Sequence, residues 1–433
     1  MLVKHTEIGS FNAHSAGQVA ENMERMRGTS FKAYIDLGPM ITRPAAPQSL
    51  KMRYTTGDGR IRVKEFKPSA DNKLRVFLPD GELKRVLEPV LKVMARHESN
   101  IEAVELADEP YINGISKSEL ERVGQLVHRE LDGAGLRSVK LAVVFAGGMF
   151  NREFARLMDR HAGVYAAELD NHFRNGAGGD PNTYKAWVEH VRSNRLVTYD
   201  RAGNMYVGGG LPKGFDIYGF DFYLSTLLLD GLHEDTLSWF AAHDLGMNCA
   251  RFRGKPMSRM RQELSFFHDG PVLQGDHYRA NDKQLLDAMY ECRMSAVTKM
   301  LVHEARGRGA QLLMLTESSN NGVLEFDSDA RAEQAQPKLL VESRVLNEVK
   351  RGEAFYAKHL CTYAGGLMFF TFDNAYDASI NLNIGGASDM PTVMASIDSF
   401  AREYAPDGNG WAKKRSCRRA HGEQPKKVGH TRH

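Results

Sequence analysis

Apolar runs recur along the chain, separated by polar loops and by stretches with apolar residues at helical spacing. The runs predict strands over 7–11, 32–36, 74–78, 102–107, 140–146, 215–223, 312–316 and 366–372. Several are apolar almost throughout, as expected of strands covered on both faces. After the 74–78 run, Leu83, Val86, Leu87, Val90, Leu91 and Met94 fall on one helical stripe, interrupted by Pro89. After the 102–107 run, Ser116 and Glu119 have capping-box spacing, and Leu120, Val123, Val127 and Leu131 share one apolar face.

Strand–helix alternation predicts a parallel sheet. Eight such strands, with no glycine fingerprint of a dinucleotide fold, predict an α/β protein built as a closed (β/α)8 TIM-type barrel. Residues 52–65 read as a β-hairpin around Asp58-Gly59, an insertion at about 45–72. If that hairpin absorbs 74–78, the segment 163–168 is the replacement strand. The region 224–300 is too long for a loop and reads as a helical insertion before the seventh strand. The expected organisation is a barrel domain over 1–405 and a basic, disordered tail over 406–433.

Composition adds boundaries to this picture. Hydrophobic residues make up 42% of the 433, enough for a sizeable core. No run is apolar for the roughly 18 residues a membrane span needs, so no membrane partner is expected. The opening residues lack a signal-like apolar core, which predicts a cytoplasmic protein, or a secreted one if the numbering omits a leader. Cys249, Cys292, Cys361 and Cys417 have neither zinc-site nor redox-pair spacing and read as reduced core thiols. From Trp411 onward eight Lys or Arg face one acid, a surplus of seven that leaves −4 for residues 1–410 out of the net +3. Apart from nonspecific polyanion contact by that tail, nothing predicts a nucleic-acid partner.

The strand ends carry the candidate chemistry. The run 102–107 ends in Asp108-Glu109, and 312–316 ends in Glu317 with Asn320 just beyond. Asp221 and Tyr223 punctuate 215–223, and Phe372, Asp373 and Asn374 close the last strand. Asp36 ends 32–36, and Phe11-Asn12 end the first strand. In a parallel barrel these ends meet at one mouth. Two carboxylates facing each other across a pocket are the minimal apparatus for cleaving a glycosidic bond. Pro110 restricts the backbone beside Glu109, and Tyr111 and Asn113 follow as rim contacts for a sugar. Asp170, His172 and Arg174 read as a loop subsite for a long or acidic glycan. There is no H-E-x-x-H and no G-x-S-x-G, and "GGGLPKG" at 208–214 lacks phosphate-loop spacing.

"ADEPY" and "LTES" resemble the catalytic strand ends of the large retaining clan of (β/α)8 glycoside hydrolases. That clan places Asn-Glu-Pro after strand four and a Glu after strand seven. The resemblance implies Glu109 as acid/base and Glu317 as nucleophile, if 74–78 is the third strand. Two departures stand out. Asp108 replaces the Asn, and the last strand reads "MFFTFDN" where the clan often presents a Trp, so Phe370, Phe372 or Trp239 must substitute. The expected function is hydrolysis of an oligo- or polysaccharide, with no cofactor and no metal. Asp36, Asp108, Tyr111, Asn113, Asp221, Tyr223, Asn320, Phe372, Asp373 and Asn374 are the expected substrate-binding residues. The alternatives are a silent glycan-binding barrel, a hydrolase pairing Glu109 with Asp221, and a metal-assisted hydrolase or lyase using Asp36, Asp108 and Asp373.

Overall fold

Seven parallel strands form one sheet in strict chain order, an arrangement that curls the sheet into a nearly closed barrel. They are β1 (Ile8–Asn12), β2 (Lys32–Asp36), β3 (Ile101–Glu105), β4 (Lys140–Ala146), β5 (Ile217–Phe222), β6 (Gln311–Glu317) and β7 (Gly366–Phe370). This computed structural model describes residues 8–44, 50–55, 61–66, 75–155, 157, 209–222, 236–254, 280–320, 338–377, 382–404, 408–410, 413 and 416–417. Each strand pairs with its neighbour in sequence, so every crossover is local in the sheet.

The helices are α1 (Ala16–Met26), α2 (Asp80–Ala95), α3 (Lys117–Gly133), α4 (Thr236–Ala242), α5 (Ala280–Ala305), α6 (Lys338–Lys358) and α7 (Pro391–Glu403). The stripe read from the sequence is the buried face of α2, which continues through Pro89. The Ser116–Glu119 capping box opens α3 as expected.

Period-two alternation divides each strand between two environments. Ile35, Val104, Leu141, Val143, Phe145, Phe220 and Met314 join the main core with residues of the helices. Tyr34, Ala103, Ala142, Val144, Ile217 and Leu313 form a separate cluster, which is the barrel interior. The same alternation carries the interior face on to Asp36, Glu105, Asp221 and Glu317 at the strands' C-terminal ends. The opposite end is closed by ions. Lys140 Nζ donates to Glu102 Oε1 at 2.5 Å and Gln311 Oε1 at 3.1 Å, and Lys32 Nζ lies 3.6 Å from Glu102 Oε2. Burial alone would raise the Glu102 carboxyl, but Lys140 and Lys32 outweigh it and hold it below the ordinary range.

Three expectations are corrected. The 74–78 run is not a barrel strand: Arg75–Phe77 pairs antiparallel with Thr42–Pro44, because the preceding hairpin returns the chain beside that short segment. The hairpin itself forms from Leu50–Thr55 and Ile61–Phe66. With 74–78 removed, β3 and β6 are third and sixth, although three strand steps still separate them. The replacement segment 163–168 lies outside the described residues, and β4 pairs directly with β5, so no strand stands between those two. The cysteines are not reduced thiols: Cys249 pairs with Cys292 and Cys361 with Cys417, both with Cα atoms 4.7 Å apart. The second bond ties the C-terminal segment to the end of α6, where Lys413 Nζ also donates to Ala357 O.

Candidate active site

The mouth lies at the C-terminal strand ends, where side chains leave the barrel interior. Asp36 and Glu105 are cross-strand partners in the β2–β3 register. Asp36 Oδ1 accepts the Gly38 N–H at 2.8 Å, which turns the chain sharply after β2. A Cβ on Gly38 would stand 2.9 Å from Asp36 Oδ1 and 3.3 Å from Ala107 Cα, so a larger residue would crowd this turn. Burial, followed by repulsion from Asp108, pushes the Asp36 carboxyl up to about 7, against the opposing Gly38 hydrogen bond. Glu105 is held well above the ordinary range, first by burial and then by the charges of Asp36 and Asp108, with Asp221 adding a smaller push. Its Oε1 is shut off from solvent and accepts no hydrogen bond. Four carboxyl groups from three strands therefore share one electrostatic environment.

Glu105 was not among the expected site residues. The signal was in the sequence: it stands two residues after Ala103, on the face that lines the interior.

Glu109 follows β3 in a tight turn. Its φ is +40°, a left-handed conformation uncommon for a side chain this long, and it is 7% exposed. Asn113 closes the turn, its N–H donating to Glu109 O at 3.2 Å and its Nδ2 to Asp108 O at 2.8 Å. Asp108 itself is exposed. Glu317 ends β6 and is 1% exposed. Ser319 donates twice to Glu317 Oε1, from its N–H at 3.2 Å and from its hydroxyl, which fixes the carboxyl orientation.

The other expected residues divide. Tyr111 is not at the rim: it is 1% exposed, packs on Phe145 with ring centres 4.8 Å apart, and donates its hydroxyl to Gly210 O. Asn320 is buried and exchanges two hydrogen bonds with Gly385, so it shapes the mouth from behind. Asn374 does similar work, accepting from Gly386 N–H and donating to Asp389. Phe372 is 41% exposed beside exposed Asp373, an open aromatic face at the end of the last strand. Asp221 is 4% exposed on the interior face of β5. Trp239 is half-buried among Phe154, Phe240 and His243. Tyr223, Asp170, His172 and Arg174 lie outside the described residues.

Among the described residues no three His, Cys, Asp or Glu side chains are arranged to hold a metal ion. No described helix is long and apolar enough to cross a membrane. Comparisons with family models, with curated proteins and with solved structures find no match for the chain.

Proposed function

We propose that this chain is a glycoside hydrolase acting on an oligo- or polysaccharide, with Glu109 as acid/base and Glu317 as nucleophile. The supporting observation is that both glutamates are buried and follow parallel strands three steps apart in one sheet, beside a layer of further carboxyls. In the retaining mechanism Glu317 attacks the anomeric carbon while Glu109 gives its proton to the leaving oxygen. Water then enters as Glu109 takes a proton back, and the glycosyl–Glu317 bond breaks. Phe372 offers a ring face for stacking against a sugar, and exposed Asp108 offers an acceptor for a hydroxyl. The clan resemblance requires a full (β/α)8 barrel, with one more strand between the edges that β1 and β7 form.

The two disulfides bear on location. Such bonds persist in oxidising compartments and are rare in a reducing cytosol. The proposed enzyme therefore works outside the cytosol, where polysaccharides are also met.

The test is reducing-end release from a broad glycan panel, comparing wild type with Glu109→Gln and Glu317→Gln. Glu109→Gln is expected to lose about 10²–10⁴-fold in rate, the usual worth of a general acid. Glu317→Gln is expected to lose turnover altogether, and the wild-type product is expected to retain its anomeric configuration. Activity surviving both substitutions would end this assignment.

A further inference from the structure

The Glu109 turn is held from outside by hydrogen bonds that run back to a helix on the barrel wall. Tyr111, two residues after Glu109, donates its hydroxyl to Gly210 O, 99 residues away in sequence. Gly210 has φ +87°, a conformation that suits glycine and presents its carbonyl toward Tyr111. The next residue, Leu211, donates its N–H to Glu304 Oε2 at 3.1 Å. Glu304 Oε1 accepts from Asn151 Nδ2 at 3.0 Å, in the segment that follows β4. Just past the end of α5, Arg308 donates to Leu211 O at 3.3 Å and Pro212 O at 2.9 Å. The segment 210–212 is thus gripped through its N–H by an anion and through its carbonyls by a cation.

We propose that Glu304 is a positioning residue for Glu109, acting through the 210–211 backbone and the Tyr111 hydroxyl. This rests on the assignment of Glu109 as acid/base. An acid/base must keep its carboxyl aligned with the leaving oxygen, and Glu109 does so from a left-handed backbone that its own turn does not favour. The Tyr111 tether adds a constraint from outside the turn. Glu304 is chosen for this because both of its oxygens are engaged, one by Leu211 N–H and one by Asn151 Nδ2. Its half-buried carboxyl sits above the ordinary range, mainly through burial, against the bonds from Leu211 and Asn151.

The test uses Tyr111→Phe, which keeps the ring against Phe145, with Glu304→Ala and Glu304→Gln in the full chain. Hydrogen exchange of amides 108–114 is measured beside that of β3 and α7. Loss of one hydrogen bond of ordinary strength corresponds to about a 10-fold faster opening of the turn. That rise is expected in Tyr111→Phe and in Glu304→Ala, with a smaller one in Glu304→Gln, which keeps one acceptor oxygen. β3 and α7 should exchange as in wild type. Unchanged exchange at 108–114 in Glu304→Ala would overturn the proposal, and so would a global rise, which marks general destabilisation. On any glycan that wild type cleaves, Tyr111→Phe should lower kcat with KM unchanged and displace the alkaline limb of the pH profile, where Glu109 loses the proton it must donate. Wild-type kcat in that variant would also overturn it. If wild type cleaves nothing while the exchange at 108–114 still rises, the catalytic role of Glu109 fails and the tether stands as turn architecture.

Discussion

Reducing the protein should separate its two disulfides, first in time and then in stability. Cys249 and Cys292 are 1% and 0% exposed, whereas Cys361 is exposed at the end of α6. Exchange with a thiol needs access to a sulfur, so the Cys361–Cys417 bond should open first under native conditions. The bonds span 43 and 56 residues. Chain-entropy loss for closing loops of that length stabilises the fold by about 4 kcal/mol each at 25 °C. At roughly 2.1 cal/mol/K of unfolding entropy per residue, a chain of 433 residues converts about 4 kcal/mol into a Tm change of about 4 °C. The assay is native alkylation with mass spectrometry over a time course in dithiothreitol, followed by thermal unfolding of the singly reduced species. The expected result is early labelling of Cys361 and Cys417 and a Tm about 4 °C lower. Four alkylatable thiols in protein made under oxidising conditions would refute the pairing. A Tm indifferent to reduction would refute the loop-closure argument while leaving the pairing intact.

Asp36→Asn should reverse a pH dependence. Its folded value of about 7 lies above the ordinary 3.8, so its contribution is fully present below pH 3.8 and is lost as pH rises through 7. Asparagine keeps the Oδ1 acceptor for Gly38, so the variant should gain Tm over wild type at pH 8, less at pH 5 and least below pH 3.8; an equal effect throughout would remove Asp36 from the coupled group. Glu105→Gln should show the same sign. Asn100→Ala should cost about 1–2 kcal/mol in urea unfolding, because the buried Asn100 side chain donates from Nδ2 to the part-buried carbonyls of Met26, Thr29 and Phe31. A cost below about 1 kcal/mol would mean that water replaces the amide there.

How much could be read in advance depended on the distance over which each feature is decided. Strands 32–36 and 140–146 were legible because their apolar runs and polar boundaries are local. The 74–78 run has the same local character, yet its partner is Thr42–Pro44, a choice made by the intervening hairpin. Asp36, Asp108, Glu109, Asp221 and Glu317 could be found as acids at strand ends. Glu105 was hidden in the apolar company of Val104 and Leu106, and only the two-residue alternation with Ala103 reveals it. Tyr111 looked like a rim residue because it follows the acid turn; its true partner, Gly210, is far along the chain. The disulfides were illegible for the same reason, since helix packing and not spacing brings the sulfurs together.

The barrel is electrically lopsided along its axis. Lys32 and Lys140 neutralise Glu102 at the floor, with one positive charge to spare. The opposite end gathers carboxyl groups from the strand ends, among them Asp36 and Glu105, whose raised values delay their ionisation as pH climbs. As those groups ionise with rising pH, the field at that end grows more negative and acts on approaching solutes before contact. For anionic glycans that field is a barrier to encounter, lowered by salt within a Debye length of roughly 10 Å at 0.1 M. For neutral chains there is no such barrier. On the proposed glycosidase reading, the lopsidedness slows anionic glycans most at high pH and low ionic strength, ahead of any selection by fit inside the mouth.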